Sequence, residues 1–198
     1  MSNKMNKKAE NAARTCQALE RAAREFFEQR GFAQVSAEEI VASADVTRGA
    51  LYHHYGGKER LFEAVVEAAM RRLHENVAQA ASQGGSDAMA AIRLGISRFL
   101  ELATAPRVQR ILFIDAPTVL GWQRWREMDA RYGLGLLQSG LEHAQSSGQV
   151  RKQNTRLLAH VLMSAMIEAA LLAAHAPVKA AARAEAEDML LRLLDGLA

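Results

Sequence analysis

The sequence predicts an all-α protein: short N-terminal helices in a helix-turn-helix arrangement, a long connecting helix, and a helical C-terminal domain, about nine helices in all. Three observations predict it. Apolar residues recur three and four apart nearly everywhere, no convincing run alternates apolar with polar, and alanine and leucine, both strong helix formers, dominate. Chain breaks fall where glycine or proline clusters, most clearly in Ser82-Gln83-Gly84-Gly85-Ser86.

The first helix is expected over residues 14–29, with Leu19, Ala23, Phe26 and Phe27 on one face and Gly31 as its stop. Ser36-Ala37-Glu38-Glu39 is a capping box that opens a short second helix anchored by Ile40 and Val41. Ala44-Asp45-Val46 forms a tight turn, and Thr47 caps a third helix that ends at His53 or His54. After Gly56-Gly57 the fourth helix starts at Lys58, with Leu61, Phe62, Val65, Val66, Met70, Leu73 and Val77 in helical register. Beyond the glycine loop come a helix over 87–105 closed by Pro106 and a short one over 107–114. Pro117 starts another, running past Trp122 and Trp125 to about 146, its middle blurred by Gly133, Gly135 and Gly140. A long apolar helix capped by Asn154 or Thr155 ends before Pro177, and a last helix covers 179–197. The domains are therefore 1–57, a connecting helix 58–81, and 82–198.

Composition excludes several classes. At 49% apolar the chain is not disordered. The single cysteine, Cys16, excludes a disulfide framework and a multi-cysteine zinc site, and fits a reducing cytosol. The polar, lysine-bearing start is not a secretory signal. Residues 157–176 approach membrane-span length but carry His160, Glu168 and His175, so a buried helix of a soluble protein is expected. No phosphate-binding loop, nucleophile elbow or zinc-protease motif occurs, and His53 and His54 diverge by about 100° on a helix, so neither enzyme, metal nor cofactor is expected.

Net charge is +3, spread evenly, so a nucleic-acid role has to rest on where charges sit. On the third helix Ala50 and Leu51 point inward, while Arg48, Gly49, Tyr52 and His53 share the opposite face. That face suits a DNA major groove: arginine bonds guanine in a bidentate fork, glycine admits close approach, and tyrosine and histidine reach phosphates. Thr47 and Lys58 mark positive helix ends. A small helical bundle with a surface arginine has the same spacing, so spacing alone leaves both readings open. The tail lysines Lys4, Lys7 and Lys8 are expected to be solubilising more than functional.

The stretch Gly31-Phe32, Ser36, Ile40, then Val46-Thr47-Arg48-Gly49-Ala50-Leu51-Tyr52-His53-His54-Tyr55 and Lys58-Glu59-Arg60-Leu61 resembles the N-terminal domain of tetracycline-repressor-like (TetR) regulators over residues 15–70. The resemblance implies a cytoplasmic, nucleoid-associated, homodimeric repressor of double-stranded operator DNA, coupled to a C-terminal domain for an unknown small-molecule effector. It implies phosphate contacts by Ser36, Thr47 and Lys58, a groove-facing Arg48 and Gly49, and base or backbone contacts by Tyr52 and His53. Asp45 stands where the family commonly has glycine, and aspartate tolerates the left-handed conformation. Gly57 replaces a frequent serine and is an acceptable cap.

By the same resemblance the last two helices form the dimer, with Val161, Ala165, Leu172, Met189, Leu190, Leu193 and Leu194 at the seam. His160, Ser164, Glu168 and His175 make a polar stripe that lies either on the dimer edge or in an effector cavity. On the second reading His160 and Glu168 join Phe99, Phe113, Trp122, Trp125, Met128 and Met166 as cavity walls. Asp115 reads as a helix cap, Arg107 and Arg110 as surface charges. The alternatives are a constitutive DNA-binding regulator without effector and, remotely, a helical enzyme.

Overall fold

The computed structural model describes residues 2–197, with side chains for residue 7 and for 9–197. Among these, nine helices and no strand are present: α1 Ser2–Arg30, α2 Ala37–Ser43, α3 Arg48–Tyr55, α4 Lys58–Ser82, α5 Ala88–Ala103, α6 over 106–119, α7 over 122–146, α8 Thr155–His175 and α9 Lys179–Asp195. Helix α1 begins about a dozen residues before the apolar periodicity does, because its polar first turns contain no glycine or proline to stop them. The side chains of Lys4 and Lys8 lie outside the described residues; Lys7 is exposed.

Local signals account for the helix ends. The Ser36 capping box closes in both directions, with the Glu39 N–H donating to Ser36 Oγ at 3.2 Å and the Ser36 N–H donating to the Glu39 carboxylate at 2.9 Å. Thr47 Oγ1 accepts from the Ala50 N–H at 3.2 Å, and Gly56 ends α3 in the left-handed conformation at φ 75°. Asp45 makes the α2–α3 turn at φ 53°, a conformation that aspartate tolerates better than most residues.

Two further helices differ from expectation. The predicted break before Pro117 is absent; α6 continues through a π-helical stretch, Arg110–Asp115, and the chain turns at Gly121 instead, at φ 81°. A proline ring crowds the carbonyl four residues back, and the wider π turn just before Pro117 makes room for it. Helix α7 likewise runs unbroken across its glycines, with a second π stretch at Ala130–Leu134.

Phe27, Ile40, Leu51 and Phe62 are fully buried where α1–α4 meet, and Phe27 packs edge-on to Phe62 at 5.1 Å. Each such side chain contributes about 1.5–3 kcal/mol of burial. In the C-terminal domain α8 is long and apolar enough to cross a membrane, but it packs against α5, α7 and α9 and buries Leu162, Met163, Met166 and Ile167. Helix α9 corrects one expectation. Leu190 and Leu194 are 3% and 0% exposed and close the core of their own subunit, so they are not seam residues. Met189 and Leu193, each about 100° round the helix, stand 60% and 55% exposed, as Leu172 and Val161 of α8 do at 66% and 57%.

Candidate functional site

Helix α3 turns Leu51 into the core and leaves Arg48, Gly49, Tyr52 and His53 exposed on one face. That face is organised before any ligand arrives. The Arg48 guanidinium pairs with Glu38 of α2 at 2.9 Å, donates to the Tyr52 hydroxyl at 3.5 Å, and lies 5.5 Å from the Tyr52 ring centre. No side chain crowds Gly49; a Cβ there meets only Thr47 Oγ1, at 3.8 Å. The Ser36 and Thr47 hydroxyls cap their helices, and the Glu39 carboxyl, held by the Ser36 N–H and by Arg30, has its pKa lowered to about 2.

Lys58 differs from its expected role. Its ammonium turns away from the α3 face, donates to the Phe32 and Val35 carbonyls at 3.1 and 2.8 Å, and sits 3.9 Å above the Phe32 ring. Those carbonyls belong to the link between α1 and α2, so the lysine braces that link rather than standing free for a phosphate.

The C-terminal domain holds a cavity of about 270 Å³ between α4, α5, α7 and α8. Phe99 and Met166 line it, together with Met163, Ile92 and Gly133. The other expected wall residues lie elsewhere. Phe113 only edges onto Phe99, at 6.3 Å. Trp125 is buried and donates from Nε1 to the Leu112 carbonyl at 2.7 Å, and Met128 is wholly inside the core. Trp122 is 66% exposed and shares an open surface hollow with His160 and Arg126. Glu168 stands exposed in the groove between α8 and α9, against Leu172 and Met189. The polar stripe therefore faces outward, and neither His160 nor Glu168 lines the cavity.

His74 is the cavity residue that sequence reasoning missed. It sits on α4 between Met70 and Val77 in the apolar register, and that position is the signal that marks it. Burial pushes its pKa down to about 4, so the imidazole is neutral at pH 7. Its ring stacks on Tyr132 at 6.2 Å. A Cβ on Gly133 would lie 2.5 Å from His74 Cε1 and 2.9 Å from Met163 Cε, so a side chain here would push those two side chains aside.

Direct contacts tie the C-terminal domain to α1–α4. The Tyr132 hydroxyl donates to Glu67 of α4 at 2.7 Å, Arg131 reaches the same oxygen at 3.2 Å, and Arg124 pairs with Glu63 at 2.6 Å. Asp115 is not a helix cap; its carboxylate accepts the Phe32 N–H at 2.8 Å, from the link between α1 and α2. Arg107 pairs with Glu28 of α1 at 3.6 Å.

Two family models match this chain. "Bacterial regulatory proteins, tetR family" covers residues 20–65, and "Tetracyclin repressor-like, C-terminal domain" covers residues 89–197, more than half of it. The chain belongs to the TetR family. A TetR-family transcriptional regulator from Pectobacterium atrosepticum has the same architecture, with TM-score 0.81 and 31% identity over 94% of this chain and 95% of its own. The Transposon Tn10 TetC protein of Escherichia coli is 25% identical over 82% of this chain and 81% of its length. The HTH-type transcriptional repressor BepR of Brucella suis is 31% identical over 55% of this chain and 52% of its length. TetR-family regulators are DNA-binding transcriptional regulators that bind operators and dimerise.

Proposed function

We propose that this TetR-family chain is a homodimeric repressor that holds a palindromic operator through paired α3 helices and releases it when a small molecule fills the cavity. The observation that carries the reading is that one helix, α4, starts beside the exposed α3 face and supplies His74 to the cavity wall. A ligand seated against His74 presses on α4, and the facing Tyr132 segment is bonded to Glu67 on the same helix. The Asp115–Phe32 bond offers a second route, to the link between α1 and α2.

In the dimer the exposed apolar row of Val161, Leu172, Met189 and Leu193 is covered by its symmetry mate. The two α3 helices then enter major grooves about 34–36 Å apart, where a small change in separation breaks the match. Arg48 reads a base edge, Tyr52 and His53 support it, and the first turns of α2 and α3 at Ser36 and Thr47 meet phosphates. Release follows by linkage: the effector favours the DNA-incompetent spacing by the ratio of its affinities for the two states. A constitutive regulator without effector is the other reading, and the cavity argues against it.

Selection of bound duplexes from a random-sequence pool tests the proposal. An enriched inverted repeat, bound by two chains per duplex, is expected. Enrichment of single unpaired sites or of no sequence at all contradicts it.

A further inference from the structure

Resting on the effector reading of the cavity, we infer that its ligand is a small, neutral, aromatic molecule carrying one hydroxyl, which exchanges a hydrogen bond with His74.

Size comes from the volume. A cavity near 150 Å³ holds benzene, so the 270 Å³ here accommodate a ligand of about ten to twelve non-hydrogen atoms, roughly two fused rings. Charge comes from the lining: it contains no aspartate, glutamate, lysine or arginine. An ionised ligand would lose its hydration with no countercharge to meet it, which is prohibitive for a group that does not neutralise. His74 supplies none, because burial keeps its ring neutral.

The polar group comes from the same residue. Ser139 is exposed at the rim, which leaves His74 as the polar side chain of the interior. Its Cε1–Nε2 edge faces Gly133, where a Cβ would come within 3.0 Å of Nε2. A neutral imidazole offers one donor and one acceptor, and a hydroxyl group complements either. Aromaticity comes from the walls. The Met163 and Met166 thioethers and the Phe99 ring are groups that favour aromatic faces.

Calorimetric titration of the intact dimer at pH 7.5 with four probes of one shape tests this: naphthalene, 2-naphthol, 2-naphthoate and 2-(aminomethyl)naphthalene. The naphthol is expected to bind about tenfold more tightly than naphthalene, because the hydrocarbon leaves His74 unpaired. The two ions are expected to bind at least a further tenfold more weakly. His74→Leu should reduce naphthol to the level of naphthalene while naphthalene binding persists, and His74→Gln should restore part of the preference. Gly133→Ala, whose methyl group would push the His74 and Met163 side chains from their places in the wall, should weaken all binding at least tenfold. Gly95→Ala, whose Cβ meets Val77 at an unstrained 3.6 Å, should weaken it severalfold, which covers the case of a poorly folded Gly133 variant.

An equal or stronger response to naphthoate or to the ammonium probe overturns the ligand class, as does a naphthol preference that survives His74→Leu; binding that is still weakened in the glycine variants leaves the cavity reading standing. No binding by any probe, or binding unaffected by both glycine variants, overturns the cavity reading and the ligand class together.

Discussion

Leu193 and Leu194 are neighbours in sequence on α9, and the structure gives them opposite surroundings. Leu194 is fully buried in its own subunit, whereas Leu193 is 55% exposed and shares the α8–α9 groove with Met189 and Leu172. Leu194→Ala removes three carbons from a closed core and should cost about 2–5 kcal/mol of subunit stability, lowering the melting midpoint by roughly 5–15 °C without changing the oligomer. Leu193→Asp leaves the isolated subunit almost unaffected, because the new carboxylate faces water. In the dimer the two-fold axis sets it against an apolar partner surface twice, and burial of two unpaired charges should prevent association at micromolar concentration. Sedimentation velocity and thermal melting on the two variants separate the effects: a fragile dimer for Leu194→Ala, a folded monomer for Leu193→Asp. A Leu193→Asp protein that sediments as the parent dimer, or a Leu194→Ala protein that dissociates without a lower melting point, would refute the assignment of faces.

Glu38→Gln should tighten DNA binding by up to about fivefold at low salt, since Arg48 no longer has to leave a carboxylate; fluorescence anisotropy over a salt series checks it, and weaker binding contradicts it. Lys58→Met should lower the melting point and change the salt dependence of DNA binding little, because its ammonium is engaged by two carbonyls; a flattened salt slope would return it to the phosphate contacts. His74, with its pKa lowered to about 4, and Asp129, raised to about 6 by burial, act in opposite senses. The unfolded chain protonates His74 first, so its contribution is lost as pH falls from about 6.5 towards 4. Folded Asp129 keeps its proton longer, so its contribution is present below about pH 4 and lost as pH rises through about 6. Stability of Asp129→Asn should accordingly climb more steeply with pH between about 4 and 6.5 than that of the parent, as read by urea unfolding.

The helix-turn-helix is legible in the sequence because its signals are local. The Ser36 box, the Thr47 cap, the Gly56 stop and the Asp45 turn each depend on two to four adjacent residues, and the inward Leu51 fixes which face of α3 is free. Lys58 escapes that reading, since its partners Phe32 and Val35 lie more than twenty residues away. The C-terminal domain is less legible because distant partners decide which faces are covered. Along Met189-Leu190-Leu191-Arg192-Leu193-Leu194 the same apolar residue types fall on both sides of the helix. Tertiary contact alone separates Leu190 and Leu194, which meet the core, from Met189 and Leu193, which do not. His74 is hidden for a related reason: its register marks it as inward, but only the approach of Gly133 and Met163 makes its ring part of a cavity wall.

If a ligand in the cavity resets the spacing of the two α3 helices through α4, the distance between them changes on binding. Cys16→Ser combined with Ala42→Cys places one spin label per subunit at an exposed position on α2, and pulsed electron resonance reads the separation of the two labels across the dimer. With 2-naphthol bound at saturation, the distribution is expected to move by a few ångströms from its operator-bound position, with operator affinity falling in the same samples. Saturating naphthol that leaves both the distance and the operator affinity unchanged would contradict coupling of the cavity to the α3 helices.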